Sequence, residues 1–232
     1  MNANGFEKLH GIDEMDEKQV LTLCRTAEWL TRQKLSGTIE LYRPVKVQTG
    51  RTPRQTGARR IRRTNVMKRI GILGAGTWGM ALARMLTVSG NDVLVWSAIE
   101  KEIDSLSTTR KHPNLPQMKI PDELRFTKSI EEVCKDKDIL LFAVPSVFVR
   151  STAAKARPYV ADGQIIVDVA KGIEPDTLYT MTEILADELG KEGGPKGVRL
   201  VALSGPTHAE EVAIDLPTTI VSASKDMEAA AY

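Results

Sequence analysis

The stretch Gly74-Ala75-Gly76-Thr77-Trp78-Gly79 lies between a short apolar run, Ile70-Gly71-Ile72-Leu73, and a helical pattern from Met80 to Val88. No other feature of the chain restricts its fold so strongly. A strand that turns sharply into a helix through glycines leaves backbone N–H groups unpaired at the positive end of the helix dipole. The three glycines have separate tasks: Gly74 allows the tight turn, Gly76 lets a ligand approach the backbone where a Cβ would stand, and Gly79 lets the helix pack closely on its strand.

The context completes the pattern. Ala81, Leu82, Met85 and Leu86 share one helical face, Gly90 closes the helix, and Asp92-Val93-Leu94-Val95-Trp96 reads as the next strand. This is a βαβ unit of about 30 residues, the size of a mononucleotide-binding half. A corner of this kind suits a pyrophosphate, so a dinucleotide cofactor is the first expectation.

From Lys68 onward, apolar strands alternate with helical patterns, which predicts an α/β fold: a doubly wound, mostly parallel, Rossmann-like sheet covered on both faces. Strands are expected at Arg69-Leu73, Asp92-Trp96, Arg125-Thr127, Ile139-Val144, Ile165-Val169 and Val198-Leu203. The later strong ones run into Val144-Pro145-Ser146, Ala170-Lys171-Gly172 and Ser204-Gly205-Pro206-Thr207. Ligands of open α/β sheets bind beyond the carboxyl ends of the strands, so these loops should converge with the glycine corner on one crevice. Ser204 or Thr207 is expected to cap a helix starting near His208, and Phe148 to fill core or, as the alternative, to lie along an adenine.

The first 67 residues are of different character. They carry 13 Lys and Arg against 7 Asp and Glu, whereas the other 165 carry 19 against 23. A helix is expected over residues 16–32, where Val20, Leu23, Cys24, Ala27 and Leu30 share a face. The six arginines between Arg51 and Arg63, set among Thr, Gln, Gly and Pro, read as a solvated linker. The expected organisation is a poorly ordered basic N-terminal extension over 1–66, with no part in catalysis, and a dinucleotide-binding domain over 67–232.

Composition narrows the rest. Cys24 and Cys134 stand alone with no metal-ligand spacing, so no metal site is expected. No apolar run approaches the roughly 18 residues that span a bilayer, and residues 1–16 lack the layout of a signal peptide, so a cytoplasmic protein without membrane contact is expected. The arginine tract has no interleaved aromatics, which argues against nucleic acid as a partner.

Five ordered motifs resemble the bacterial-type NAD(P)-dependent glycerol-3-phosphate dehydrogenases: Gly74 to Gly79, Leu115-Pro116 with Ile120-Pro121, Ala143 to Ser146, Ala170 to Glu174, and Leu203 to Thr207 leading through Glu211-Val212-Ala213 to Leu216-Pro217-Thr218. The resemblance runs from about Lys68 to the end. It implies hydride transfer between NADPH or NADH and a three-carbon phosphate, interconverting dihydroxyacetone phosphate and sn-glycerol 3-phosphate for phospholipid synthesis. It sets Thr77, Trp78, Pro145 and Ala209 against the cofactor, Gly205 and Thr207 near substrate, and Lys171 against both ligands. An ammonium there would stabilise the alkoxide charge that a reduced carbonyl develops. His208 matches a position without a chemical role and is expected to pack or face solvent, as are His10 and His112.

Two departures qualify the resemblance. The end of the second strand reads Trp96-Ser97-Ala98, with neither the acidic residue typical of NAD sites nor the basic residue usual in NADPH-preferring relatives, so the residues select neither cofactor. The resemblance by itself favours NADPH. The proton-donating lysine and the groups holding substrate phosphate belong in the family to a helical domain that would follow Tyr232, on which a family homodimer also leans. The chain alone is therefore expected to turn over little. Alternatives are a 6-phosphogluconate or 3-hydroxyisobutyrate type dehydrogenase, and a non-catalytic dinucleotide module whose basic arm engages nucleic acid.

Overall fold

The computed structural model describes residues 66–232. The expected helix over 16–32 and the arginine tract lie outside them.

Seven strands form one sheet in the order β3-β2-β1-β4-β5-β6-β7. They are β1 (Arg69–Leu73), β2 (Asp92–Trp96), β3 (Arg125–Thr127), β4 (Ile139–Phe142), β5 (Ile165–Asp168), β6 (Arg199–Ser204) and β7 (Val221–Ser224). The first six are parallel and β7 runs antiparallel beside β6. The helices are α1 (Thr77–Val88), α2 (Glu100–Thr109), α3 (Ile130–Cys134), α4 (Val149–Ala156), α5 (Met181–Leu189), α6 (Ala209–Val212) and α7 (Met227–Ala231). This is the doubly wound sheet that the alternating pattern predicts.

Strand alternation builds the two cores. Ile70 and Ile72 of β1 face the layer containing Met80, Ala81, Ile103 and Leu106 of α1 and α2. Leu73 faces the other layer with Phe142, Val149, Ala153, Ile184 and Leu185, which brings in α4 and α5. Gly71 points to that second side, where a Cβ would stand 2.0 Å from the Val133 carbonyl oxygen, so α3 lies directly on the strand backbone. Cys134 is buried in the same layer, and desolvation pushes its thiol up to about 12, which makes it inert.

Several boundaries differ from expectation. The first helix starts three residues earlier, at Thr77, because Gly76 already has N-cap geometry and its carbonyl accepts from the Met80 N–H at 2.9 Å. Strands β4 and β5 end at Phe142 and Asp168, before Val144 and Val169, and β6 is shifted one residue to Arg199–Ser204. Strand β7 has no expected counterpart, since it is a four-residue edge strand with an exposed start and no buried residue. His208, rather than Ser204 or Thr207, is the N-cap of α6 and offers no side-chain cap. Phe148 is 55% exposed on the turn after β4 and does not join the core. None of the helices among the described residues is long and apolar enough to cross a membrane.

Candidate functional site

The strand order reverses between β1 and β4, so their carboxyl ends diverge into a crevice at the topological switch point. The glycine corner stands there. Gly74 is in the left-handed region (φ +125°), donates its N–H to the Trp96 carbonyl at 2.8 Å, and would clash through a Cβ with the Ala143 carbonyl oxygen at 2.6 Å. Gly79 lies against the same turn, its Cβ position 2.2 Å from the Gly74 oxygen. Gly76 is the opposite case: exposed, with nothing within 4 Å of where its Cβ would be. No described residue accepts a backbone hydrogen bond from the amides of Gly76, Thr77, Trp78 or Gly79.

A pyrophosphate fits that corner. Bare amides at the start of a 12-residue helix supply donors and the positive dipole end, and Gly76 leaves the approach clear. Thr77 and Trp78, both half-buried, occupy the first two helical positions.

The other expected loops converge as their positions require. Ala143 bounds Gly74 and Gly79, which joins the turn after β4 to the corner. Exposed Pro145 follows on that turn and caps the short helical turn Ser146–Phe148. Gly172, at φ +143°, would touch the Ser146 side chain at 3.0 Å if it carried a Cβ, which joins the loops after β4 and β5. The exposed Lys171 ammonium then reaches across to the Gly205 carbonyl at 3.4 Å, linking the loops after β5 and β6. It has no carboxylate within ion-pair distance among the described residues. Gly205 is glycine for a local reason too, since a Cβ would lie 2.4 Å from the Thr219 carbonyl oxygen. Thr207 is half-buried on the same loop and Ala209 opens α6.

The Lys171 loop is tied down from behind. Arg150 of α4 donates twice to the Glu174 carboxylate, 2.7 Å at each oxygen, and Thr177 adds a third donor at 2.5 Å. The guanidinium and then the hydroxyl hold the Glu174 carboxyl down at about 2.

Two buried polar residues lie near the crevice. His112 is buried; its Nδ1 accepts from the Asn114 N–H at 3.2 Å, while the Ala75 carbonyl lies against the imidazole. Burial lowers its pKa, so it packs neutral behind the glycine corner. Asp168 ends β5 three residues before Lys171, only 5% exposed, with the Ala170 N–H at 3.2 Å. Desolvation raises its carboxyl to about 7. His112 thus takes the packed one of the two settings expected of it, whereas Asp168 was hidden because burial of a polar side chain is a tertiary property.

The topology and the bare-amide corner define the class: a dinucleotide-binding domain of the dehydrogenase kind. Residues 69–230 match the family described as the N-terminus of NAD-dependent glycerol-3-phosphate dehydrogenase, and the chain belongs to that family. It is 68% identical over 164 residues to glycerol-3-phosphate dehydrogenase NAD(P)+ 2 of Lactobacillus delbrueckii subsp. bulgaricus, covering 71% of this chain and 49% of that protein. It is 46% identical over 165 residues to the corresponding Agathobacter rectalis enzyme, covering 71% and 47%. Among solved structures, glycerol-3-phosphate dehydrogenase from Coxiella burnetii superposes with a TM-score of 0.61 at 30% identity, over 70% of this chain and 48% of that one. The chain thus spans about half the length of the curated relatives it matches.

Proposed function

We propose that residues 67–232 form the cofactor-binding half of an NAD(P)-dependent sn-glycerol-3-phosphate dehydrogenase, acting on dihydroxyacetone phosphate and sn-glycerol 3-phosphate in the cytoplasm. The observation that carries this reading is the corner at Gly76, open to solvent and lined by unpaired amides at the start of α1. In it, the amides of Gly76 to Gly79 hold the diphosphate, Thr77 and Trp78 border it, and Pro145 and Ala209 line the nicotinamide side. The bound cofactor supplies or accepts the hydride.

Lys171 acts on the substrate oxygen. Among the described residues its ammonium stands free of carboxylates at the ends of β5 and β6, so its charge is available to an oxygen that becomes anionic, and a crevice poor in water strengthens that attraction. Gly205 and Thr207 border the same space and orient the three-carbon phosphate. Arg150 and Glu174 keep the Lys171 loop in place. The resemblance assigns the proton-donating lysine and the phosphate-holding groups to the part of the relatives that this chain does not span. General acid catalysis is typically worth about 10² to 10⁴ in rate, so these residues alone should bind cofactor and turn over little.

The test is a fluorescence titration of NADH and NADPH with the 232-residue chain, with and without dihydroxyacetone phosphate. Saturable binding with a negligible rate of cofactor oxidation is the expected result. A robust rate of oxidation would overturn the half-site reading, and the lack of binding would overturn the cofactor reading.

A further inference from the structure

In a doubly wound fold the adenosine ribose of a bound dinucleotide is recognised at the carboxyl end of the second strand, where a carboxylate suits a free 2′-hydroxyl and a guanidinium suits a 2′-phosphate. Here β2 ends at buried Trp96, whose indole N–H donates to the Lys128 carbonyl at 3.1 Å. Ser97 follows, only 7% exposed. Its hydroxyl donates to Glu102 Oε2 at 2.5 Å and accepts from the Ile99 N–H at 3.1 Å. Glu102 reaches back from the first turn of α2, where Glu100 also stands. The acidic group absent from the strand end in the sequence is thus returned to it by the helix.

The nearby cations do not offset this. Lys128 is engaged by Asp104 at 2.7 Å and by Glu100 at 3.6 Å. Arg125 is spent on Asp92, 2.6 Å away at the opposite end of β2. Between Ser97 and Asp104 the chain carries one further cation, exposed Lys101, against the three acids Glu100, Glu102 and Asp104, and exposed Ala98 offers no donor beyond its backbone.

We infer that Ser97 and Glu102 are the specificity-determining residues of this domain and select a 2′-hydroxyl, so that the chain takes NADH in preference to NADPH. A ribose hydroxyl donates to the Glu102 carboxylate and completes its hydrogen bonding. A 2′-phosphate brings a charge of about −1.5 to −2 to the same carboxylates, with no guanidinium beside them among the described residues. The inference rests on the dinucleotide reading and runs against the NADPH preference that family resemblance alone suggests.

The test is equilibrium titration of the full 232-residue chain with NADH and with NADPH at low ionic strength, read by cofactor fluorescence and by thermal shift. NADH should bind at least about tenfold more tightly, equivalent to about 1.4 kcal/mol, and the ratio should shrink as salt screens the repulsion. Glu102→Gln should narrow the ratio severalfold from both sides. Ala98→Arg, at an exposed position that leaves the Ser97 bonds intact, should improve NADPH binding about tenfold with little change for NADH. Equal or tighter NADPH binding by the unaltered chain would overturn the inference while leaving the dinucleotide site standing. A ratio unmoved by both substitutions would overturn the assignment to Ser97 and Glu102. Failure of both cofactors to register in either readout would remove the dinucleotide reading and this inference with it.

Discussion

The two ends of the sheet treat charge in opposite ways. At the amino ends, Arg125 pairs with Asp92, Arg69 with Asp138 and Lys135 with Glu131. Asp138 Oδ2 also accepts from the Arg69 N–H at 2.7 Å. Every one of these groups finds its partner within the fold; Arg69, Arg125, Lys135 and Glu131 are exposed, and Asp92 and Asp138 are half-buried. Among the described residues, the amides of Gly76 to Gly79 at the carboxyl ends stay unpaired, Lys171 has only a carbonyl at 3.4 Å, and Asp168 is buried with a backbone N–H for company. A parallel sheet aligns the strand ends, so one rim can be self-neutralised and inert while the other keeps unsatisfied groups for a ligand.

Substitutions at the glycines should break that contrast most sharply. Gly79→Val sets a branched side chain against the Gly74 carbonyl oxygen, which a Cβ alone would approach to 2.2 Å, and should destabilise the domain by roughly 3 kcal/mol or more in urea denaturation. Gly76→Val, only three residues away, meets open space. It should leave the denaturation midpoint close to that of the parent but lower cofactor affinity by about tenfold or more, because the side chain fills the cradle.

Asp168 offers the next largest effect, with a definite sign. Its folded pKa of about 7 stands above the value of an ordinary aspartate, so folding is penalised progressively as pH rises from about 4 to about 7 and fully above that. Asp168→Asn keeps an oxygen for the Ala170 N–H and removes the penalty. It should therefore stabilise the chain by roughly 2 kcal/mol at pH 8 and hardly at all at pH 4, measured as melting temperature against pH.

Lys171→Ala should sharpen the contrast from the other side. An exposed ammonium with one long contact holds no part of the fold, so the melting temperature should move by no more than about 2 °C, while cofactor affinity falls severalfold in the same titration. The smallest effect belongs to the amino rim. Arg125→Ala removes an exposed ion pair and should cost less than about 1 kcal/mol, leaving cofactor affinity unaltered. A loss of affinity from that substitution would show that the two rims are not independent.

Much of the site was legible because its logic is local. Gly74, Gly76 and Gly79 announce a corner through spacing alone, and the corner forms where expected. The convergence of Pro145, Lys171 and Gly205 was legible as well, since parallel strands send their ends to one side. The roles of Asp168 and Glu102 were not. Nothing near Asp168 in the chain says that Ala170 is its sole donor, and Glu102 reads as an ordinary first-turn acid until α2 folds back on Ser97. Strand β7 escaped notice because an edge strand is held by its neighbour more than by its own pattern.

The sequence by itself determined the order of the six parallel strands along the chain, the glycine corner and the rim where a ligand is expected, because strand polarity, helix periodicity and glycine's lack of a Cβ are encoded residue by residue. Only the tertiary structure decided which glycines face open space and which face backbone, which carboxyl is stripped of water, and which acid returns to the end of β2. Those properties depend on what distant segments bring within a few ångströms, and desolvation and hydrogen bonding act only at that range.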